Sequence, residues 1–446
     1  MVGRSRRDMA VDVTIFEKIS PSRFLSFTIP NPTFPPPLRL LRVAILDSPL
    51  HPPESPPRVA AMLVPKHRET DWIFSTESGH LQLLLNLPDI SRLILIGDDP
   101  IDGSASVAGG EDRDRERLEH SLRLLVMALS PKTHLENGIS DVPFLSYDDN
   151  LVRSVEIEKS VGEYVGEMLV EDVELEVDGV RELRRRLRFK RMPNLVQTDI
   201  RIVPRTPNPG SNSMPLQGTE FRTDLTVLVH PYLAPMVASL SLIGSTIDEL
   251  SSRPKALCIG VGGGALLSFL NLRLGFEVTG VEIDPEVLRV ARKYFGLEED
   301  IASVHVEDGI EFLRRVSIDE ALKDVKFDAV MVDLDSSDPI HGVTAPPVDF
   351  VSEDVLLAAR SVLHRSGILV INVIPQNRTF YDELKDKFRR VFAELYEIEV
   401  GNEENYVLIA TVVPLSYSVT DSKDEFSRKR LTPAVPRKYV DTIERI

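Results

Sequence analysis

The chain has 446 residues and 42% of them are hydrophobic, which is enough for two or three domains with sizeable cores. Its formal net charge of -17 argues against nucleic acid as the main partner, because phosphates are neutralised by Lys and Arg. The same charge suits a basic protein or a cationic amine as the partner.

The single cysteine, Cys258, excludes an internal disulfide and a cysteine-based metal cluster. It falls within a predicted strand, so we interpret it as a core residue rather than a nucleophile. No apolar run reaches membrane-spanning length, and early acidic residues make the N-terminal segment a poor transit peptide. We therefore expect a cytoplasmic protein with no membrane partner. Met9 is an alternative start, which leaves open whether residues 1–8 belong to the native chain.

The first half of the chain is predicted to be β-rich. Strands are predicted at 24–29, 41–46, 62–65, 71–74 and 92–96, and a helix over 115–129. Residues 152–203 continue the β-rich pattern. Prolines, asparagines, serines and glycines at 204–218 indicate a loop or linker. These features predict an N-terminal β-rich domain over residues 1–218.

One stretch of that domain, residues 181–191 with the sequence RELRRRLRFKR, is strongly basic. Leu187 and Phe189 alternate with cations, which is typical of a strand with one solvated face. A docking strip for an acidic partner is the second interpretation of this run.

Helices and strands alternate in the second half. An apolar helix is predicted over 230–243. Strands are predicted at 256–259, 277–283, 303–306, 327–332 and 367–373, helices at 265–274, 285–295, 310–316, 352–363 and 379–392, and a final antiparallel pair at 396–400 and 406–413. This order predicts a Rossmann-like, doubly wound α/β domain over 219–415 with helices on both faces. Residues 416–446 are interpreted as a charged C-terminal tail.

The stretch from Lys255 to Asp284, KALCIGVGGGALLSFLNLRLGFEVTGVEID, reads as strand, glycine loop, helix and second strand. Its loop glycines let the chain turn sharply and let a ligand approach the backbone: Gly260, Gly262, Gly263 and Gly264. Glu282, followed by Ile283, stands at the tip of the second strand, where an acid can accept both hydroxyls of a ribose. The loop lacks the GxGxxG spacing and no GxxxxGK[ST] is present, so S-adenosylmethionine fits better than NAD.

Two further strand ends carry acids. Asp308 and Gly309 follow the third strand of the alternating series, where a carboxylate can accept from the exocyclic amine of adenine. A helix N-cap is the equal alternative for Asp308. Asp333 ends the fourth strand, and ligands of doubly wound sheets lie at the carboxyl ends of strands.

The loop after that strand packs Asp333, Asp335 and Asp338 into a short span. Like charges so close together are costly unless they face water, a cation or a shared proton. A protonated amine substrate would relieve the repulsion, and one acid could deprotonate the amine so that it attacks a sulfonium carbon. A solvated turn is the alternative. The sequence contains no credible metal-ligand set.

Several motifs resemble the C-terminal half of the methyltransferase-like protein 13 family. They are GVGGG, VEIDP, ARKYFG, HVEDG and FDAVMVDLDSSDP with APPVDFV, preceded by LVPKHRETDWIFSTESG, VPFLSYDD and NLVQTD, so the resemblance covers residues 60–415. It implies a class I S-adenosylmethionine-dependent methyltransferase with a spermidine-synthase-like fold. It also implies a protein substrate, translation elongation factor 1A, methylated on its α-amino group.

The same residues resemble spermidine synthase more remotely. NLVQTD resembles the glutamine-bearing strand of that family, which implies that Gln197 approaches the methionine part of the cofactor. The spacing from Phe327 to Asp333 matches that family up to its catalytic aspartate, whereas the Asp-Ser-Ser-Asp-Pro motif begins at Asp335. Both acids therefore stay candidates for the base.

Three functions remain open at this point. They are methyl transfer to a protein amine, aminopropyl transfer in polyamine synthesis, and a catalytically silent binding module that keeps the cofactor fold. Binding of S-adenosylmethionine against its decarboxylated form would separate the first two. The assembly state is also open, with a homodimer among the alternatives.

Overall fold

The structure is a computed structural model, and it describes residues 13–34, 39–50, 56–87, 89–99, 111–132, 141–206, 215–319, 325–338, 342–375, 377–401, 405–415 and 424–446. Residues 1–8 lie outside this set. Contacts divide the chain into two compact units, Met1–Asp149 with Met192–Asn194, and Asn150–Arg191 with Leu195–Ile446. The predicted domain boundary stood at residue 218, whereas the contacts group residues 150–191 with the C-terminal unit.

The first unit contains one mixed five-stranded sheet. Its strands are β1 (Phe24–Pro30), β2 (Leu40–Asp47), β3 (Val59–Leu63), β4 (Arg92–Asp98) and β5 (Phe144–Leu145), and its helices are α1 (Trp72–Ser75), α2 (Glu77–Leu85) and α3 (Glu111–Ala128). The sheet order is β1-β2-β4-β3-β5. β3 runs parallel to β4 and β5, and the other pairs are antiparallel.

Both faces of this sheet are buried, because successive residues of a strand point to opposite faces. Val43 and Ile45 of β2 pack in one cluster with Leu122 and Val126 of α3. Leu46, from the other face of β2, packs in a second cluster that contains apolar residues of α1 and α2. The sheet therefore lies between two helical layers.

The strand predicted at 71–74 is wrong. Residues of this stretch form α1, and the Asp71 carboxylate caps the helix by accepting a hydrogen bond from Ile73 N at 3.1 Å. Trp72, Ile73 and Phe74 are all buried, so their sequence shows neither the helical nor the strand period of apolar residues. The signal for a helix is the capping residue before them.

The second unit begins with an antiparallel sheet ordered β10-β9-β8-β7-β6. Its strands are β6 (Leu151–Gly162), β7 (Gly166–Val177), β8 (Val180–Phe189), β9 (Val196–Pro204) and β10 (Phe221–Asp224). The predicted basic strand is β8. Its guanidinium groups contact acids of neighbouring strands, as in the Arg185–Asp172 and Arg188–Glu171 pairs. This pairing favours the structural interpretation of the basic run.

An eight-stranded sheet forms the rest of the unit, in the order β13-β12-β11-β14-β17-β19-β18-β20. Its strands are β11 (Lys255–Ile259), β12 (Glu277–Glu282), β13 (Ala302–Val306), β14 (Phe327–Val332), β17 (Leu363–Val373), β18 (Glu394–Glu399), β19 (Tyr406–Thr411) and β20 (Glu444–Arg445); β15 (Ser336–Asp338) and β16 (Gly342–Thr344) form a separate hairpin. The five neighbouring strands β13, β12, β11, β14 and β17 are parallel, and β19 is antiparallel to both of its neighbours, β17 and β18.

Helices cover both faces of this sheet. They are α4 (Leu233–Ala238), α5 (Gly244–Glu249), α6 (Ala265–Leu274), α7 (Pro285–Tyr294), α8 (Gly309–Ile318), α9 (Glu353–Val362), α10 (Arg378–Val391) and α11 (Arg437–Asp441), with shorter 3₁₀ or π turns at Val13–Glu17, Ser239–Ile243, Val348–Val351 and Ser427–Leu431. Cys258 packs in a cluster with α4 and α6, whereas Leu257 and Ile259 pack with α8, α9 and α10. The predicted Rossmann-like, doubly wound α/β fold with a preceding β-rich region is confirmed.

The antiparallel sheet belongs to the second unit because it shares a core with α7. Met168, Leu187 and Phe189 pack against Val287 and Val290 of that helix. The other side of α7 contributes to the core of the eight-stranded sheet, so the helix joins the two sheets. This shared core places the antiparallel sheet beside the glycine loop.

The segment predicted as a charged tail is described from residue 424 onward. Phe426, Leu431, Val435 and Ile443 are buried in the same core as α6. Three to seven residues lie between successive members of this set, and most of those residues are charged, polar or small, so the sequence shows no apolar run here. Among the described residues, no helix is apolar over a length that could cross a membrane. That part of the chain also holds no group of three or more His, Cys, Asp or Glu arranged for a metal ion.

Candidate active site

A cleft lies at the carboxyl ends of β11, β12, β14 and β17, where the strand order reverses between β11 and β14. The predicted site residues that line it are Gln197, Gly260, Gly262, Glu282, Ile283, Asp333 and Asp335. The structure therefore brings most of the predicted cofactor and catalytic residues into one cavity. Gly263, Gly264, Asp308 and Gly309 do not line it.

The glycine loop lies against two other parts of the chain, the backbone of Asp333 and the side chain of Thr198. Gly260 has φ +88°, and a Cβ there would overlap the carbonyl oxygen of Asp333. Gly264 has φ +81° and is the N-cap of α6. Both positions therefore require glycine for conformation or space. Gly263 N donates to Thr198 Oγ1 at 2.7 Å, which ties the loop to β9.

Glu282 holds the same loop from the end of β12. Its Oε2 accepts hydrogen bonds from Val261 N at 3.1 Å and Gly262 N at 3.4 Å, and its Oε1 accepts from Asp284 N at 3.1 Å. Burial raises the pKa of this carboxyl, and the three backbone donors oppose that rise. A carboxylate offers about four acceptor positions, so Glu282 retains capacity for a ligand hydroxyl.

Asp333 is held by two side chains from distant parts of the chain. Tyr232 donates its hydroxyl to Oδ2 at 3.1 Å, and Asn372 donates Nδ2 to Oδ1 at 3.4 Å. Burial raises the pKa of Asp333 to about 6, with a further rise from the negative charge of Asp335, while both hydrogen bonds lower it. The group is therefore mostly a carboxylate at neutral pH and has the basicity suited to proton transfer.

Asp335 also lines the cleft, so the structure keeps both acids near the reacting region. Asp333 accepts hydrogen bonds from the side chains of Tyr232 and Asn372. The side chain of Asp338 lies outside the described part of the chain. The assignment of the base to Asp333 or Asp335 stays a prediction, and the geometry favours Asp333.

Asp308 caps α8 rather than facing the cleft. Its Oδ1 accepts hydrogen bonds from Ile310 N at 2.8 Å and Glu311 N at 3.1 Å, and the residue is exposed. This is the N-cap role considered as the alternative for that position. A contact of Asp308 or Gly309 with adenine stays a prediction.

Five polar residues of the cleft were not predicted as site residues from the sequence: Arg191, Thr198, His230, Tyr232 and Asn372. A signal existed for Asn372, because it is the polar residue inside the apolar run ILVINV of β17. His230 and Tyr232 were assigned to an apolar helix, but α4 begins after them, at Leu233. Burial lowers the pKa of His230 to about 4, so its imidazole is neutral at pH 7.

The cleft contains buried polar atoms without protein partners. Within the described part of the chain, they are Arg191 Nε, Gln197 Nε2, His230 Nε2 and Asn372 Oδ1. Buried polar groups are normally hydrogen-bonded, so unsatisfied ones in a cavity indicate places for ligand atoms. A glycine loop, an acid at the next strand end and these open positions fit a nucleoside with a polar amino-acid chain, such as S-adenosylmethionine.

Comparisons with known proteins agree with this geometry. The spermine/spermidine synthase domain model matches residues 241–400. The eEF1A lysine and N-terminal methyltransferase of Bos taurus is 28% identical over 386 residues, covering 82% of this chain and 52% of that protein. The Homo sapiens protein of the same name is 26% identical over 387 residues, covering 83% and 53%. The chain thus spans about half the length of these curated relatives.

A crystal structure of human methyltransferase-like protein 13 in complex with SAH is also similar, with 27% identity, a TM-score of 0.41, and coverage of 48% of this chain and 93% of that one. The resemblance drawn from the sequence motifs is confirmed: the chain is similar to the eEF1A lysine and N-terminal methyltransferases over about four fifths of its length.

Proposed function

We propose that this chain is an S-adenosylmethionine-dependent methyltransferase that acts on a protein amine. The observation that carries the proposal is the carboxylate of Asp333, half-buried between Tyr232 and Asn372 in the cleft beside the glycine loop. A base of raised pKa at the carboxyl end of a Rossmann-like strand suits proton removal from an ammonium group.

The chain has residues for each part of this task. The glycine loop and Glu282 would hold the nucleoside of the cofactor, and Gln197 would hold its methionine part. When bound, S-adenosylmethionine supplies a methyl group on a positively charged sulfur. Asp333 accepts a proton from the substrate ammonium, which leaves a neutral amine as the nucleophile. Tyr232 and Asn372 fix the carboxylate and stabilise its charged form.

We propose eEF1A as the protein substrate and its N-terminal α-amine as the acceptor. Two lines support this: the relatives carry the name eEF1A lysine and N-terminal methyltransferase, and the net charge of -17 suits a cationic acceptor. A cytoplasmic location would fit such a substrate and is a proposal that cell fractionation tests. A homodimer remains a further proposal, for which sedimentation is the measurement.

The experiment is methyl transfer from radiolabelled S-adenosylmethionine to an N-terminal eEF1A peptide. We expect label on the peptide with a free α-amine and none on the same peptide N-acetylated. Asp333→Asn is the matched control, because it keeps the side-chain size and removes the base. If the wild-type chain labels other protein amines in a cell extract but not the peptide, the substrate assignment is wrong and methyl transfer stands. Absence of label in both experiments would contradict the proposed activity.

Aminopropyl transfer is the second candidate, favoured by the match of the spermine/spermidine synthase domain model to residues 241–400. Aminopropyltransferases usually have an acid between the glycines of this loop. The loop GVGGG has none, which argues against aminopropyl transfer. Incubation with decarboxylated S-adenosylmethionine and putrescine tests this candidate directly. Formation of spermidine at a rate above that of peptide methylation would favour it over methyl transfer.

A further inference from the structure

The basic run of β8 ends in a cation that differs from its neighbours. The others are paired with acids: Arg181 with Glu174, Arg184 with Glu182 and Asp199, Arg185 with Asp172, Arg186 with Asp199, Arg188 with Glu171 and Lys190 with Glu167. Arg191, which follows β8, has no ion pair or hydrogen bond of its side chain within the residues that the structure describes. Arg191 is therefore the cation of this run that has no acidic partner among the described residues.

That guanidinium lies at the cleft. Arg191 and Phe189 both line it, and Arg191 Cζ stands over the Phe189 ring at 5.4 Å from the centroid. The aromatic face restricts the orientation of the guanidinium plane. Arg191 Nε is buried and has no hydrogen-bond partner in the described chain. A charged donor that is held in place, buried and unsatisfied is costly unless a ligand completes it.

A second donor of the same cleft is also unsatisfied. Gln197 Nε2 is buried without a partner, and Gln197 lines the cavity. Two acids of the cleft are already engaged within the protein, Glu282 with the glycine loop and Asp333 with Tyr232 and Asn372. An arginine fork and an amide N–H together match the acceptor geometry of a carboxylate.

We propose that Arg191, assisted by Gln197, binds the α-carboxylate of the methionine part of the cofactor and makes the cleft selective for S-adenosylmethionine over its decarboxylated form. The inference rests on the proposed function. Arg191 would select the cofactor of methyl transfer over the cofactor of aminopropyl transfer. The two cofactors differ by this carboxylate. Decarboxylated S-adenosylmethionine lacks this carboxylate and would leave the buried Arg191 Nε without an acceptor, so the contact would add nothing to its binding.

The test is calorimetric titration of the full chain with S-adenosylhomocysteine and with its decarboxylated analogue. We expect the wild-type chain to bind S-adenosylhomocysteine at least about tenfold more tightly, as for one charge-assisted contact. Arg191→Gln should lose about tenfold for S-adenosylhomocysteine and should bind the decarboxylated analogue within about twofold of wild type. Arg191→Met, which keeps an unbranched side chain and removes the guanidinium, should behave in the same way.

Arg181→Gln is the matched control, because Arg181 is an exposed cation of the same basic run and does not line the cleft. It should change neither affinity. Equal losses for both ligands in Arg191→Gln, or no loss for S-adenosylhomocysteine in a folded variant, would overturn the inference while the proposed function stands. Failure of the wild-type chain to bind either ligand would overturn the proposed function and this inference with it.

Discussion

Thr198 Oγ1 accepts a hydrogen bond from Gly263 N at 2.7 Å, across 65 positions of sequence. Both groups are buried, and Thr198 stands on β9 of the antiparallel sheet while Gly263 stands in the loop of the Rossmann-like domain. The antiparallel sheet therefore supports the backbone of the candidate cofactor loop directly.

Replacement of Thr198 by Val should leave Gly263 N–H buried without an acceptor. Loss of such an acceptor costs about 1–3 kcal/mol, so we expect a lower free energy of unfolding and weaker binding of S-adenosylhomocysteine. Thr198→Ser keeps the hydroxyl and is the control for this change. Urea unfolding and calorimetry measure the two effects. Equal behaviour of the Val and Ser variants would show that the hydrogen bond does not hold the loop.

Asp333→Asn and Asp335→Asn should differ in turnover. General-base assistance is typically worth 10²–10⁴-fold, so we expect a fall of roughly that size for Asp333→Asn and a smaller one for Asp335→Asn. Binding of S-adenosylhomocysteine should change little in either variant. The two are compared at saturating S-adenosylmethionine. If Asp335→Asn is the more damaged variant, the base is Asp335; if neither loses more than a few-fold, catalysis depends on positioning alone.

The raised pKa of Asp333 predicts an acidic limit to activity. Burial places this pKa at about 6, and a base functions only when deprotonated, so turnover should decline as the pH falls through about 6. The Tyr232 hydroxyl favours the charged carboxylate, and Tyr232→Phe should therefore move this limit to higher pH. A pH profile of single-turnover methylation measures both. An unshifted limit in Tyr232→Phe would assign it to another group.

The raised pKa of Asp333 also affects stability: turnover should fall as the pH falls, whereas the contribution of Asp333 to stability should fall as the pH rises. The folded-state pKa of Asp333 is raised from 3.8 to about 6, so the folded chain binds this proton more tightly than the unfolded chain does. The resulting stabilisation is present at low pH and is lost as the pH rises through about 6. Asp333→Asn should therefore gain stability relative to wild type between pH 5.5 and pH 7.5. Urea unfolding at the two pH values measures the gap, and a constant gap would contradict the assignment.

Glu282 should be required for cofactor binding. Its removal eliminates the candidate ribose acceptor and three hydrogen bonds to the backbone around the glycine loop, so Glu282→Ala should weaken S-adenosylhomocysteine binding about tenfold or more. Glu277→Ala is the matched control, because Glu277 starts the same strand and is exposed. Unchanged affinity in a folded Glu282→Ala variant would remove the residue from the site.

The elements of the Rossmann-like domain were predictable because their signals are local. Buried parallel strands such as β14 are continuous apolar runs, and α6 was predicted with the same bounds that the structure shows. The short helix α1 was not predictable in this way, because its three apolar residues are all buried and their pattern has no period.

The candidate site was predictable only in part, because some of its contacts join residues that are far apart in sequence. Gly260, Glu282 and Asp333 stand at strand ends, where the fold class itself indicates a ligand. Tyr232 and Asn372 reach Asp333 across 101 and 39 positions. Such pairs follow from how the elements pack, and no spacing in the sequence reports them.

β20 pairs antiparallel with β18 at the edge of the eight-stranded sheet. Tyr396 lies opposite Arg445, and Glu397 lies opposite Glu444. Arg445 also pairs with Glu394 at 3.0 Å. An uncovered border strand offers its N–H and C=O groups to any other extended chain and is a recognised starting point for aggregation. These few residues therefore protect the domain against unwanted strand addition, and a shortened chain that ends before residue 444 would present β18 to its neighbours in solution.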